Sequence, residues 1–407
     1  MKNNIFNRIL SQYEYKIIYK RLAFTLLILF IYIFGSHITI LNQSKMVGGN
    51  PSFYQLAVSN VGGDIQTLNI FSLGLGPWLT AMIVLMLLRY RNVEKTMQMT
   101  RKEKHYQEKL LALAFSVVQG YFVISQHVDM DKLKGTTTAL LLLMIVTGTM
   151  LLIWLADQNV RYGIAGAMPI VLMSIVRSTV RYHAPNVSID VITMVCIIAL
   201  IVVVMVILLC LELVEYRLPY RDIMQVEQKH AQTFIAWKLN PAGSISIMMS
   251  LSLFILLNSI LNLIVQFVAS KPQQLHIFEL GHPVGVTIYI IIQIIMGYAL
   301  SRLLIFTKQK SKEFLKASNY FEGVAPGPET ERYLDHKARI ICWTGSLIVG
   351  IIIGIPLYLS LLVPQLSQQI YFVIQLMIMM YISINIAETI RTYLYFDKYK
   401  PFLTKYW

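Results

Sequence analysis

The chain has 407 residues, of which 56% are hydrophobic and only 14% charged, and its mean hydropathy is +0.59. These values exclude an ordinary soluble domain and indicate a protein that crosses a membrane several times. In such a chain a formal net charge of +14 points to basic cytoplasmic loops before it points to nucleic acid.

The first residues, MKNNIFNRILSQYEYKIIYKR, are too polar for a cleavable signal peptide, and the apolar run after them is long enough to stay as a span. Residues 1–21 read as a cytoplasmic amphipathic N-terminus. Ile5, Ile9, Tyr13 and Ile17 recur every four residues, with Arg8, Glu14 and Lys16 elsewhere around the helix. The segment either lies in the membrane interface or is a solvated leader.

Ten spans follow, at about 22–41, 71–88, 110–127, 136–155, 164–181, 189–211, 243–268, 283–306, 339–360 and 369–390. Of the 35 Lys and Arg, only Lys45, Lys132, Lys134, Arg177, Arg181 and Lys271 fall on the outer side if the N-terminus is inside; Arg302 lies within a span. Basic residues collect on the cytoplasmic side, so both termini are expected there.

The second span is interrupted. The stretch 60–88 begins polar, with Gly62, Gly63 and Asp64, and meets Gly74, Gly76 and Pro77 before an apolar run. That run, Trp78 to Leu88, is shorter than the ~20 residues a bilayer requires. A broken span needs shelter from lipid and commonly lines a cavity; a kinked span buried for packing is the other reading. Ten spans divide into five and five, which forces two structural repeats into opposite orientations. The halves are then 22–182 and 183–407. The second span of the second half opens with KLNPAGSISIMMS, another Pro/Gly lead-in. Irregular helices in matching positions indicate a pathway between the halves.

Two cytoplasmic loops are long. Residues 212–242 include Arg217, Arg221, Lys229 and Lys238; residues 307–338 include Lys308, Lys310, Lys312 and Lys316. Basic residues there are the ordinary topology signal, but loops of this length are often functional and fit a partner docking from the cytoplasm.

The missing chemistry is also informative. No phosphate-binding G-x-x-x-x-G-K-[ST] motif occurs, so no ATPase is recognisable. Cys196, Cys210 and Cys342 have neither metal spacing nor a disulfide pattern, and no cofactor or metal site is expected. Asp157 and Glu388 lie near span ends, and Arg302 is the main ionisable residue inside a span. An ion-coupled transporter would place such groups mid-membrane. An inverted-repeat transporter of a small solute or ion stays open as the second reading; no catalytic constellation supports an enzyme.

Four stretches carry a family resemblance. GGDIQTLNIFSLGLGPWLTAMIVLMLL resembles the plug and second helix of SecY protein-translocation channels, and IWLADQNVRYGIAGAMPIVL resembles their fourth-to-fifth helix junction. WKLNPAGSISIMM is similar to the approach to their seventh helix, and GVAPGPETERYLDHKARI to the tip and exit of their eighth-to-ninth loop. The matches occur in the family's order across nearly the whole chain.

The resemblance implies an all-α membrane fold of ten transmembrane helices in two inverted five-helix halves around an hourglass pore in the bacterial plasma membrane. It implies an apolar pore ring of Leu79, Ile83, Met168, Leu172, Met248 and Ile378, although Met168 and Met248 also suit ordinary helix packing. It implies a plug within 54–69 around Gly62, Gly63 and Asp64, and a lateral gate to lipid between the second and seventh helices. Its partners would be a SecA-like ATPase motor, a SecE-like and a SecG-like small subunit, membrane lipid and a secretory precursor. Arg217, Arg221, Lys308, Lys310 and Lys312 are the candidate motor contacts. The family's loop tip usually reads G-I-R-P-G; here it reads GVAPG, with Ala325 in the arginine's place. That departure resembles the accessory SecY-type channels of Gram-positive bacteria, which implies a dedicated accessory SecA and serine-rich, glycosylated adhesins as cargo.

Overall fold

Long apolar runs bounded by polar turns set the helices, because a backbone in lipid must satisfy its own hydrogen bonds. The structure, a computed structural model, describes residues 13–40, 58–64, 68–91, 98–127, 135–182, 214–222, 233–268, 282–362 and 367–395, with isolated positions between 199 and 213. The first half contains α1 (Tyr13–His37), α2 (Gly76–Arg91), α3 (Arg101–His127), α4 (Gly135–Tyr162) and α5 (Met168–Tyr182). The second contains α6 (Gly243–Val268), α7 (Pro283–Ile305), a short surface helix α8 (Thr307–Lys316), α9 (Pro328–Leu362) and α10 (Ser367–Tyr395). The expected sixth span, 189–211, lies outside the described residues apart from isolated helical positions. So do residues 1–12 of the amphipathic segment; from Tyr13 onward that segment is already part of α1.

Among the described residues six helices are long and apolar enough to cross a membrane. Two others are short, α2 with 16 residues and α5 with 15. Each is preceded by a glycine-bearing turn rather than by another helical turn. Before α5, Ala165 and Gly166 both take left-handed backbone, at φ 57° and 58°. The buried Asn159 amide holds that turn, donating to the Ile164 carbonyl at 3.0 Å and the Gly166 carbonyl at 2.6 Å. Thr25 of α1 donates its hydroxyl to Asn159 Oδ1 at 2.9 Å and accepts from the Ile164 N–H at 3.0 Å.

The second half differs from expectation at its matching position. The Pro/Gly lead-in is confined to a turn, where Gly243 (φ 42°) donates its N–H to Asn240 Oδ1 at 3.2 Å. Beyond it α6 runs unbroken for 26 residues. Only the first-half member of the pair is interrupted, because only there do glycines and a proline recur after the apolar run has begun.

The halves meet along two seams. α6 packs on α2 and α3, and α10 packs on α5. Within the second half, α9 lies on α7 with Gly350 and Gly354 facing the Ile294 and Ile290 side chains, where an added Cβ would stand only 2.6 and 3.0 Å from them. Small residues of this kind let membrane helices approach closely.

The two long loops contain strand structure that the apolar periodicity does not announce. β1 (Glu215–Pro219) pairs antiparallel with β3 (Phe234–Lys238), and β2 (Arg221–Asp222) pairs antiparallel with β4 (Asn319–Tyr320). The second pairing joins one loop to the other. Beneath it Leu218, Trp237, Ile305, Phe314, Phe321 and Leu334 form an apolar core separate from the membrane core.

Candidate functional site

The site grows from the turns that precede α2. Residues 58–64 fold back on 68–75: the Asp64 N–H donates to the Ser72 carbonyl at 3.1 Å, and the Leu75 N–H to the Val61 carbonyl at 2.9 Å. Glycine is required where the strands of this turn touch. Gly74 has φ +62°, and a Cβ there would lie 2.3 Å from the Gly63 nitrogen; a Cβ on Gly63 would lie 2.5 Å from the Ser72 carbonyl oxygen. Residues 58–63 are all buried, although the stretch reads as polar in sequence. Its apolar side chains, Val58 and Val61, join Leu73 and Leu75 in the core. Of the expected plug span 54–69, residues 54–57 and 65–67 lie outside the described residues; Gly62, Gly63 and Asp64 lie in the folded-back turn.

The six candidate ring residues come from four helices. Leu79 and Ile83 stand one turn apart on α2, Met168 and Leu172 one turn apart on α5, Met248 on α6 and Ile378 on α10. α2 contacts α6, α6 contacts α10, and α10 contacts α5. Leu79, Ile83, Met248 and Ile378 are buried in one apolar cluster, and Met168 and Leu172, partly buried, pack against it. The folded-back turn abuts the same α5 surface, since Gly62 sits beside Val171 and Ile170.

Sequence reasoning missed the polar groups around this cluster. Tyr32 of α1 donates its hydroxyl to the Gly62 carbonyl at 3.0 Å, Ser174 of α5 to the Gly63 carbonyl at 3.1 Å, and Gln375 of α10 its amide to the Ser59 hydroxyl at 3.3 Å. On the other seam, Ser252 of α6 donates to the Gly76 carbonyl of α2 at 2.6 Å. The buried Gln119 of α3 lies beside them, and with Val58, Val61, Leu73, Gly76, Val123 and Ile255 it lines a small cavity. Amides in the middle of apolar runs were the available signal, since a buried amide requires a partner.

The ionisable residues near span ends form pairs between elements. Asp157 of α4 binds Lys109 of α3, Glu388 of α10 binds Lys238 of β3 through both carboxylate oxygens at 2.7 Å, and Arg302 of α7 binds Asp335 of α9. Arg302 is therefore a fastener between neighbouring helices.

The basic candidates divide by environment. Arg217 lies over the Phe234 ring at 4.7 Å, and Arg221 pairs across the loops with Glu322. On α8, Lys310 pairs with Glu313 at 2.8 Å and, with Gln309, holds that carboxyl below its ordinary range. Lys308 and Lys312 are exposed on the same helix. Its buried side carries Ser311, which donates to the Gly327 carbonyl at 3.2 Å, and Phe314. Ala325 is exposed at the loop tip, which closes when Thr330 donates to the Ala325 carbonyl at 3.0 Å.

Comparison with known proteins gives consistent matches. The sequence model of the family described as SecY matches residues 69–387. The accessory Sec system protein translocase subunit SecY2 of Staphylococcus pseudintermedius is 58% identical over 407 residues, covering 100% of both chains. The protein of that name from Staphylococcus aureus strain Newman is 54% identical, over 98% of this chain and 100% of its own. Among solved structures, one described as a protein conducting channel superposes with a TM-score of 0.68 at 15% identity, covering 94% of this chain and 95% of the other. A second, of a SecY protein whose plug domain is described as stabilising the closed state, superposes with a TM-score of 0.65 at 16% identity over the same shares.

Proposed function

The chain belongs to the SecY family, and from that membership we propose that it is the central protein-conducting subunit of an accessory Sec translocase. It is a multi-pass membrane protein whose cargo is unfolded secretory polypeptide. The observation that carries this reading is the convergence of Leu79, Ile83, Met248 and Ile378, with Met168 and Leu172 packed against them, beside a glycine-bearing turn held between the halves.

A constriction of such side chains excludes water and ions while empty, because a narrow apolar passage dewets. The same side chains accept any passing sequence, since they offer packing and no directional bonds. Methionine at two of the positions adapts its shape at little cost. The ring carries no charge or hydrogen-bonding group that would bind an ion or small solute, which favours the channel over the transporter.

The driving force comes from a SecA-like motor docking on the face that carries α8 and the paired loops, and that face is cytoplasmic with both termini. The basic side chains there steer an acidic partner surface, with Lys308 and Lys312 the most available of the candidates. SecE-like and SecG-like subunits complete the assembly. Ala325, where the family's usual motif has arginine, supports a dedicated accessory motor and, with it, serine-rich glycosylated adhesins as cargo.

Crosslinking tests the channel reading. A stalled precursor should crosslink to cysteines introduced at Leu79, Leu172 and Met248 in a chain whose three native cysteines are replaced. If precursor engages but none of the three positions crosslinks, the ring is not the passage.

A further inference from the structure

We infer that Tyr32, Ser174 and Gln375 form a three-donor latch that holds the plug shut, with Gln375 reporting the separation of the two halves. The inference rests on the reading of the turn around Gly62 and Gly63 as the seal, and it names what fastens that seal.

The acceptors argue for it. Two of the three bonds end on the backbone carbonyls of Gly62 and Gly63, and both residues are buried. The N–H groups of these glycines are already spent inside the turn, on the Ser59 and Val58 carbonyls at 3.1 and 3.0 Å. Their carbonyls point outward from the turn, and the wall helices supply the donors. Buried acceptors are costly to leave unpaired, so the turn is stable in this position only while those donors are present. Because these two acceptors are backbone atoms, no side-chain substitution within the turn removes them; the third, the Ser59 hydroxyl, is a side chain. The fastening is written in the walls.

The donors come from both sides of the molecule. Tyr32 and Ser174 lie on α1 and α5 of the first half, while Gln375 lies on α10 of the second. Gln375 reaches the Ser59 hydroxyl at 3.3 Å and the Ile175 carbonyl of α5 at 3.4 Å. One amide thus spans the α5–α10 seam and touches the plug at the same point. Moving α10 away from α5 breaks both bonds together, whereas Tyr32 and Ser174 move with the half that carries the turn. Gln375 stands one helical turn before Ile378, so the group that senses the seam is adjacent to the ring.

The latch differs from packing in a measurable way. Tyr32 also stacks on Phe71, with ring centroids 5.9 Å apart, and Tyr32→Phe keeps that contact while removing the hydroxyl. Gln375→Leu keeps most of the volume and removes the amide. Ser174→Ala removes the hydroxyl, and Ser174→Thr restores one.

The test uses the full chain with its partner subunits in proteoliposomes, carrying Val61→Cys as the only cysteine. Val61 is 1% exposed in the closed turn, so its alkylation by a water-soluble maleimide reports undocking. Gln375→Leu, Tyr32→Phe and Ser174→Ala should each raise the alkylation rate about fivefold, the ratio that ~1 kcal/mol corresponds to. Ser174→Thr should return it towards the parent rate. Resting ion conductance, measured without the added cysteine, should rise in the same three variants, and a chain lacking residues 57–66 provides the fully unplugged level. If that deletion raises conductance but the three donor substitutions change neither readout, the latch is overturned and the seal stands. If the deletion leaves conductance unchanged, the seal and the latch fail together.

Discussion

Ser252 donates its hydroxyl to the Gly76 carbonyl at 2.6 Å, joining the third turn of α6 in one half to the first turn of α2 in the other. Both groups are buried, and the bond lies on the seam expected to part towards lipid. Ser252→Ala should weaken the closed seam by about 1 kcal/mol, the ordinary net worth of such a bond. A translocation assay with precursors whose signal sequences are weakened should show greater export through the variant, with wild-type precursors little affected. Equal rejection of weakened signals by both proteins would exclude Ser252 from setting the threshold.

Gly74→Ala should misplace the proposed plug without removing it. The new Cβ would stand 2.3 Å from the Gly63 nitrogen, and the residue would have to hold φ +62°. Left-handed backbone alone costs an alanine about 1–2 kcal/mol, and the contact adds to it. Resting conductance should rise towards the level of the 57–66 deletion, with export retained in both. A Gly74→Ala channel as tight as the parent would mean that the turn can repack around the methyl.

Met248→Asn places an amide in the proposed apolar ring, where it should invite water into a passage that apolar side chains would otherwise keep dewetted. Higher resting conductance and relaxed signal-sequence discrimination are expected. Because Met248 is 4% exposed within the cluster, some loss of thermal stability should accompany them. Stability loss with unchanged conductance would assign Met248 to packing alone.

Lys308→Glu with Lys312→Glu should weaken motor binding about tenfold at low salt, and the difference should shrink near 0.5 M salt as the charges are screened. Among the described residues neither lysine forms an ion pair, whereas a change at Lys310 also disturbs Glu313 and one at Arg221 also cuts the tie to Glu322. Titration of the motor against the channel in nanodiscs at two salt concentrations reads the effect. Ala325→Arg alone should not confer efficient use of a housekeeping SecA. Binding indifferent to both salt and charge would remove the electrostatic docking model.

Asn159→Ala should be the most damaging single change to stability. Its amide bonds two carbonyls of the α4–α5 turn and its oxygen accepts from Thr25, so three hydrogen bonds are lost at once, the one to the Ile164 carbonyl in a buried setting. A loss of about 2–4 kcal/mol is expected, read as a lower unfolding temperature in detergent. Thr25→Val should cost less, because it leaves the two Asn159 amide bonds in place.

Much of the fold was legible because lipid imposes a simple rule: long apolar runs become helices, and the bounds of α6 and α7 follow the apolar runs closely. The interruption before α2 was legible because glycine and proline are the residues that break such runs. The pairing of β2 with β4 was not, since it joins residues almost a hundred positions apart through two short strands. The ring positions were reached through motif resemblance, and helix periodicity alone would not have chosen Leu79 over its apolar neighbours. The latch was illegible for a physical reason. Tyr32 and Ser174 act on backbone carbonyls, which every sequence possesses, and Gln375 on the hydroxyl of one serine, Ser59, so little in the turn's own residues announces them.

The pairing between the loops also has a mechanical meaning. β2 and β4, the Arg221–Glu322 pair and the parallel rings of Phe314 and Phe321, 5.2 Å apart, fuse two loops into one stiff head. That head continues directly into α9, whose 35 residues extend about 50 Å at the usual helical rise. A lever results, with its handle in the aqueous phase and its shaft lying along α7 and α10. Force applied to either loop is delivered as torque on the shaft rather than dissipated in chain bending. Pro356, inside the far third of α9, removes one backbone bond and gives the shaft a compliant joint near its far end.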